Sequence, residues 1–145
     1  MIPTNLLVPV DFSACSEHAL DYACALASKL GARIHVINAI GGTMPELAVA
    51  LTDQMISSLR HSNAAALEQL IAPRRAGVAF GEIMVVDSDA RDAIVQAARA
   101  VHADLIVIGT HGRRGLTRVL LGSVAEDVLR RAPCPVLAVR QETQP

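Results

Sequence analysis

The chain has 145 residues, 52% of them hydrophobic and 19% charged, with a formal net charge of −1. That length suits one domain over residues 1–145, and a chain so apolar and so weakly charged is not intrinsically disordered. With 2% aromatic residues and no tryptophan, it lacks stacking platforms for single-stranded nucleic acid, and its balanced charge draws it to neither nucleic acid nor an anionic membrane.

Three cysteines, Cys15, Cys24 and Cys134, form no C-x-x-C pair, which fits a reducing compartment better than a disulfide framework. No apolar stretch reaches the 18 residues of a membrane span, and the first residues lack the basic start of a signal peptide. The expectation is a cytoplasmic protein.

Leu6-Leu7-Val8-Pro9-Val10 reads as a buried strand ending at Asp11. Ser13 can cap a helix whose apolar face carries Ala19, Leu20, Ala23, Leu26, Ala27 and Leu30, with Gly31 closing it. Arg33–Ile40 reads as a second strand. The stretch from about Glu46 to Ala72 predicts one long helix, or two with a break near Ser62-Asn63, closed by Pro73 and Gly77. Val78–Val86 reads as a third strand whose Gly81 and Glu82 mark an edge.

Asp87-Ser88-Asp89 can cap a short helix carrying Ala93, Ile94, Ala97, Ala98 and Val101. Asp104–Ile108 is a fourth strand. A helix from roughly Leu116 or Arg118 to Arg131 follows, stopped by Pro133-Cys134-Pro135, and Val136–Val139 is a fifth strand. Strict alternation of strand and helix means parallel strands with helical crossovers, and apolar strands need both faces covered. The expected architecture is a three-layer α/β sandwich.

Between the fourth strand and the last helix lies Gly109-Thr110-His111-Gly112-Arg113-Arg114-Gly115, with Gly122-Ser123 beyond it. Glycines let a backbone approach a ligand closely or adopt positive φ, and a helix N-terminus offers N–H groups and a positive dipole end to phosphate. The loop is not a Walker A motif, which needs G-x-x-x-x-G-K-[ST]. Nor is it the dinucleotide fingerprint, which follows the first strand as G-x-G-x-x-G. On the residues alone it is either a phosphate loop or a tight, packed turn.

The spacing Gly109, two residues, Gly112, nine residues, Gly122-Ser123 resembles the ATP-binding signature G-x-x-G-x9-G-[ST] of the universal stress protein family. Val8-Pro9-Val10-Asp11-Phe12-Ser13 resembles that family's first strand and turn, and Leu105–Gly112 its fourth strand. Leu120–Ala125 through Pro133–Leu137 resembles its closing helix and strand. The match is weakest from about Gly42 to Gly77. The resemblance implies an open five-stranded parallel sheet of order 3-2-1-4-5. Such a sheet has a switch point between strands one and four, where ligands bind beyond the carboxyl ends.

Carried over residue by residue, the resemblance implies that Pro9, Val10 and Asp11 line a nucleotide and that the backbone of Val36 reads adenine. Ile108 and Gly109 would lie against the nucleoside. Thr110, His111 and Gly112 would run along ribose and phosphates, with Arg113 nearby, and Gly122, Ser123 and Val124 would hold phosphate. It further implies ATP, with Mg²⁺ or Mn²⁺ held mainly by the phosphates, and a homodimer through the last strand, Val136–Arg140. One departure stands out: Asp87-Ser88-Asp89 occupies the place where the family often has Gly-x-Pro. Negative charge there would oppose a triphosphate if it faced the pocket, and otherwise caps the helix.

The leading expectation is therefore an ATP-binding regulatory dimer acting on a protein partner that the sequence does not name. Two others stand beside it. One is a slow ATPase or a nucleotidyl or phosphoryl transferase using His111, Ser123 and Asp11. The other is a dimeric interaction module that binds no nucleotide. Cys134, between two prolines, could be an exposed redox thiol. His18, His35, His61 and His102 have no metal-ligand spacing.

Overall fold

A computed structural model describes residues 1–41, 51–111 and 121–141. Five strands form one parallel sheet: β1 (Asn5–Pro9), β2 (Arg33–Ile40), β3 (Ala79–Asp87), β4 (Leu105–Gly109) and β5 (Val136–Val139), in the order β3-β2-β1-β4-β5. Among the described residues, four helices connect them: α1 (Ala14–Leu30), α2 (Asp53–Ile71), α3 (Ala90–Ala100) and α4 (Ser123–Arg131). The expected sheet order is met, and β3 lies at an edge as Gly81 and Glu82 predicted.

Strand residues alternate between two cores, as a period of two requires. Leu6, Val8, Ile34, Val36 and Val107 pack under Ala19, Leu20, Ala23 and Ala27 of α1 and Leu67 and Ile71 of α2. Leu7, Ile37, Ile106 and Ile108 pack under Ala93, Ile94, Ala97 and Ala98 of α3 and Ala125 and Val128 of α4. Small alanines on the helices let them approach a sheet of Val, Leu and Ile closely.

Helix boundaries have local causes. The Ser13 side chain accepts the Ser16 N–H at 3.1 Å, and Gly31 closes α1 at φ 67°. Thr52 caps α2, which runs through Ser62-Asn63 without a break; a 3₁₀ turn, Ala72–Arg74, with Pro73 inside it, follows. The predicted start of α2 near Glu46 falls outside the described residues. Asp89 caps α3 by accepting the Arg91 N–H and pairs with the Arg91 guanidinium at 2.9 Å. Of the two readings of Asp87-Ser88-Asp89, helix capping is the one the hydrogen bonds support. At the far end of α3 the Ala103 N–H returns to Ala98 and the His102 N–H to Arg99, a Schellman closure that puts His102 at φ 53°.

Two polar features join strands at the end of the sheet opposite the crevice. The Asp104 carboxylate accepts from the Thr4 and Asn5 N–H groups and the Thr4 hydroxyl, all within 3.1 Å, tying the entry of β1 to that of β4. Burial works to raise this carboxyl, but those hydrogen bonds outweigh it and hold it below its ordinary value. The second feature is a bulge where β2 meets β3: Ile34 pairs with Phe80 but Val36 with Ile83, so His35 alone faces Gly81 and Glu82. The buried His35 ring fills the bulge. Its Nδ1 accepts the Glu82 N–H at 2.9 Å, so Nε2 carries the proton and donates to Asn5 Oδ1 at 3.2 Å. A β-carbon at Gly81 would lie 2.4 Å from the ring, so only glycine fits there.

Candidate nucleotide site at the switch point

Sheet order reverses between β1 and β4, so the chain leaves their carboxyl ends toward opposite faces. β1 turns into α1 on one face and β4 leads to α4 on the other. Switch points of this kind are where open α/β sheets hold ligands, and Val10, Asp11, Gly109 and Thr110 stand at this one, the candidate crevice.

The β1–α1 turn is tightly specified. Val10 is buried, and its N–H donates to the Ile37 carbonyl at 2.8 Å. Asp11 Oδ1 accepts the Ser13 N–H at 2.9 Å, an Asx turn, and the Asp11 N–H reaches Ser16 Oγ at 3.3 Å. Ser16 in turn donates to the Ser13 carbonyl. Phe12 sits at φ 65°, left-handed for a bulky residue, with its ring against the α1–α2 core. Strain of this kind persists only where the surroundings enforce it.

Across the crevice, the Thr110 N–H donates to Val139, and the Thr110 carbonyl accepts the Gly122 N–H at 2.6 Å. Gly122 is the N-cap of α4, and among the described residues no side chain caps that helix. Its first N–H groups, on Ser123 and Val124, therefore have no partner within the helix and carry the positive end of its dipole. Thr110 Oγ1 and His111 Nδ1 share a hydrogen bond of 3.0 Å, while His111 Nε2 is buried without a partner. An uncapped helix start and an orphaned imidazole nitrogen are both groups that a polar ligand could satisfy.

The glycines work differently from expectation. Gly122 has φ −61°, and Gly109 is not among the positive-φ residues. Their bare Cα atoms face protein: a β-carbon at Gly109 would lie 2.9 Å from Cys15 Sγ and 3.1 Å from the Cys15 carbonyl oxygen. One at Gly122 would lie 2.8 Å from the Thr110 carbonyl oxygen. These two glycines seat α1 and α4 against the end of β4. The last helix begins at Ser123, not at Leu116 or Arg118. Ser123 and Val124 thereby become its first turn.

The chain matches the model of the universal stress protein family over residues 3–140. It belongs to that family. A universal stress protein of Methanocaldococcus jannaschii is 34% identical to it over 140 residues, covering 94% of this chain and 82% of the relative. A universal stress protein solved in complex with cAMP is 28% identical, with a TM-score of 0.66, and covers 96% of this chain and 98% of its own. Another, from Archaeoglobus fulgidus and in complex with dAMP, is 28% identical with a TM-score of 0.65, covering 95% and 98%. As in those relatives, the universal stress protein fold here is a five-stranded parallel α/β sandwich.

Of the site residues expected from sequence, this universal stress protein brings Pro9, Val10, Asp11, Ile108, Gly109, Thr110, His111, Gly122, Ser123 and Val124 to the carboxyl end of β1 and β4 or the start of α4. Val36 lies mid-strand, level with Val8 and Ile83, with its side chain fully buried and its backbone within the ladder of the sheet, so the structure does not bring it to the carboxyl ends with the others. Gly112 and Arg113, with Arg114 and Arg118, lie outside the described residues. Cys134 is a poor redox candidate, because burial and the nearby Asp104 carboxylate push its thiol up.

Sequence reasoning missed Asn38 and Asn63. Asn38 is buried, donating Nδ2 to the Val10 carbonyl at 2.7 Å and accepting from Asn63 Nδ2 at 2.9 Å. A clue was present: a lone amide inside the apolar run Arg33–Ile40 must find partners or cost stability.

Proposed function

We propose that this universal stress protein binds ATP in the switch-point crevice and acts as a nucleotide-dependent regulatory dimer. The observation that carries the reading is the uncapped start of α4 at Ser123 and Val124 beside the buried, unpartnered Nε2 of His111. N–H groups at a helix start, a serine hydroxyl and an imidazole nitrogen form a donor set suited to phosphate oxygens. Val10 and Asp11 on the facing wall would meet the nucleoside. A divalent ion, Mg²⁺ or Mn²⁺, would travel with the phosphates, as it does where phosphates supply most of its ligands. The nucleotide complexes of related family members support the ligand class.

Dimerisation through Val136–Arg140 is supported by the place of β5 at the sheet edge, where among the described residues it pairs only with β4. A free edge favours strand addition. Binding rather than turnover would then be the signal passed to a partner.

Calorimetric titration with ATP and Mg²⁺ tests the reading, with cAMP and AMP titrated alongside. Saturable binding that weakens in Ser123→Ala supports it. No heat from folded protein at millimolar ATP overturns it and leaves the nucleotide-free module. Steady-state phosphate release abolished by His111→Ala would convert the binder into a slow ATPase.

A further inference from the structure

We propose that Asn38, braced by Asn63, is a positioning residue that sets the Val10–Ser13 turn at the mouth of the crevice. The inference rests on the nucleotide reading for its functional consequence, but its structural claim stands apart from it.

β1 pairs with β4 only at Leu6 and Leu7, so beyond Leu7 no ladder on that side holds the strand. Val10 is held from β2 alone. Its N–H goes to the Ile37 carbonyl at 2.8 Å and its carbonyl takes the Asn38 Nδ2–H at 2.7 Å. The orientation of the Asn38 amide follows from chemistry: a carbonyl can only accept, so nitrogen faces Val10. That leaves Oδ1 for Asn63, whose own amide must then donate, at 2.9 Å.

The next residues need this hold. Phe12 is left-handed at φ 65°, and Asp11 closes its Asx turn on Ser13. Were the Val10 carbonyl released, the chain could relax out of that turn and carry Asp11 away from the crevice. Asn63 belongs to α2, so one amide pair ties the crevice wall to a helix packed on β2 and β3.

The test is Asn38→Asp. An ionised carboxylate cannot donate to the Val10 carbonyl and repels it; burial at this position raises a carboxyl above its ordinary range, and once protonated it restores the donor. Hydrogen exchange of the Asp11 and Ser13 amides is measured at pH 5.5 and 8.5, each against wild type at the same pH, with the Ile106 and Val107 amides as a global reference. Exchange at the turn should be at least tenfold faster than wild type at pH 8.5 and return to within about threefold at pH 5.5, with the reference amides unchanged. Asn38→Ala should loosen the turn at both pH values. Should that variant not fold, Asn63→Ala, which removes only the brace, should loosen it by a smaller factor.

Turn protection equal to wild type in Asn38→Asp at both pH values overturns the proposal. So does loosening that the reference amides share equally. ATP affinity, read in parallel, should fall about tenfold in Asn38→Asp at pH 8.5 and recover at pH 5.5. If wild type binds no ATP, the nucleotide reading fails while the amide exchange still decides the role of Asn38.

Discussion

The Gly122 N–H donates to the Thr110 carbonyl at 2.6 Å, and a β-carbon on Gly122 would sit 2.8 Å from the same oxygen. Helix α4 is thereby docked on the end of β4 through a contact that only glycine permits. Gly122→Ala should destabilise the fold by about 1–3 kcal/mol, the usual cost of overpacking. Nucleotide affinity should fall with it. Urea denaturation and calorimetry on one sample would read both. Ser123→Ala separates the two effects: the midpoint should barely move, while affinity drops roughly tenfold for one lost charge-assisted hydrogen bond.

Gly109 makes the matching contact on the other wall. Gly109→Ala would crowd Cys15 Sγ at 2.9 Å and the Cys15 carbonyl oxygen at 3.1 Å. Adding Cys15→Ala removes the sulfur but not the carbonyl. The double variant should therefore recover part, and not all, of a loss of about 1–3 kcal/mol. Full recovery, or none, in a double-mutant cycle would contradict this packing.

Acid should weaken the fold through His35 first. Burial chiefly, and the Arg33 charge next, lower the His35 pKa below its ordinary 6.5, against a smaller opposing effect of Glu82. The folded state then binds fewer protons than the unfolded chain once pH drops below 6.5. Stability should be full above that value and decline as pH falls through it toward the folded pKa. Protonated Nδ1 can no longer accept the Glu82 N–H. Asp104, also lowered, adds a second loss below its ordinary 3.8. Urea midpoints across pH 4 to 8 should slope in wild type and flatten between pH 5 and 7 in His35→Gln.

His102 occupies the left-handed position of the Schellman closure after α3 with an exposed side chain. A β-carbon there costs energy that glycine avoids. His102→Gly should stabilise the protein by about 0.5–1 kcal/mol, readable as a higher thermal midpoint.

Element order was legible in the chain because it rests on local signals; the sheet order and its switch point came from the family resemblance. The apolar strands alternate with amphipathic helices, Ser13 and Asp89 cap, and Gly31 terminates. The G-x-x-G-x9-G-[ST] spacing with its flanking strands pointed to the family and to the residues around the switch point. What the one-dimensional pattern did not show is what each residue touches. Gly109 and Gly122 read as glycines that admit a ligand or a positive φ; neither has a positive φ, and Cys15 and Thr110, distant in sequence, leave no room for a β-carbon on them. His35 and Gly81 look unrelated until the bulge stacks them, and Asp104 looks like a strand-leading residue until Thr4 and Asn5 converge on it. Asn38 is an amide in an apolar strand until packing brings Val10 to one end of it and Asn63 to the other. Periodicity and capping are short-range properties of a chain, so sequence alone determined them. Steric exclusion and hydrogen-bond satisfaction between distant segments depend on coordinates, and only the tertiary structure decided those.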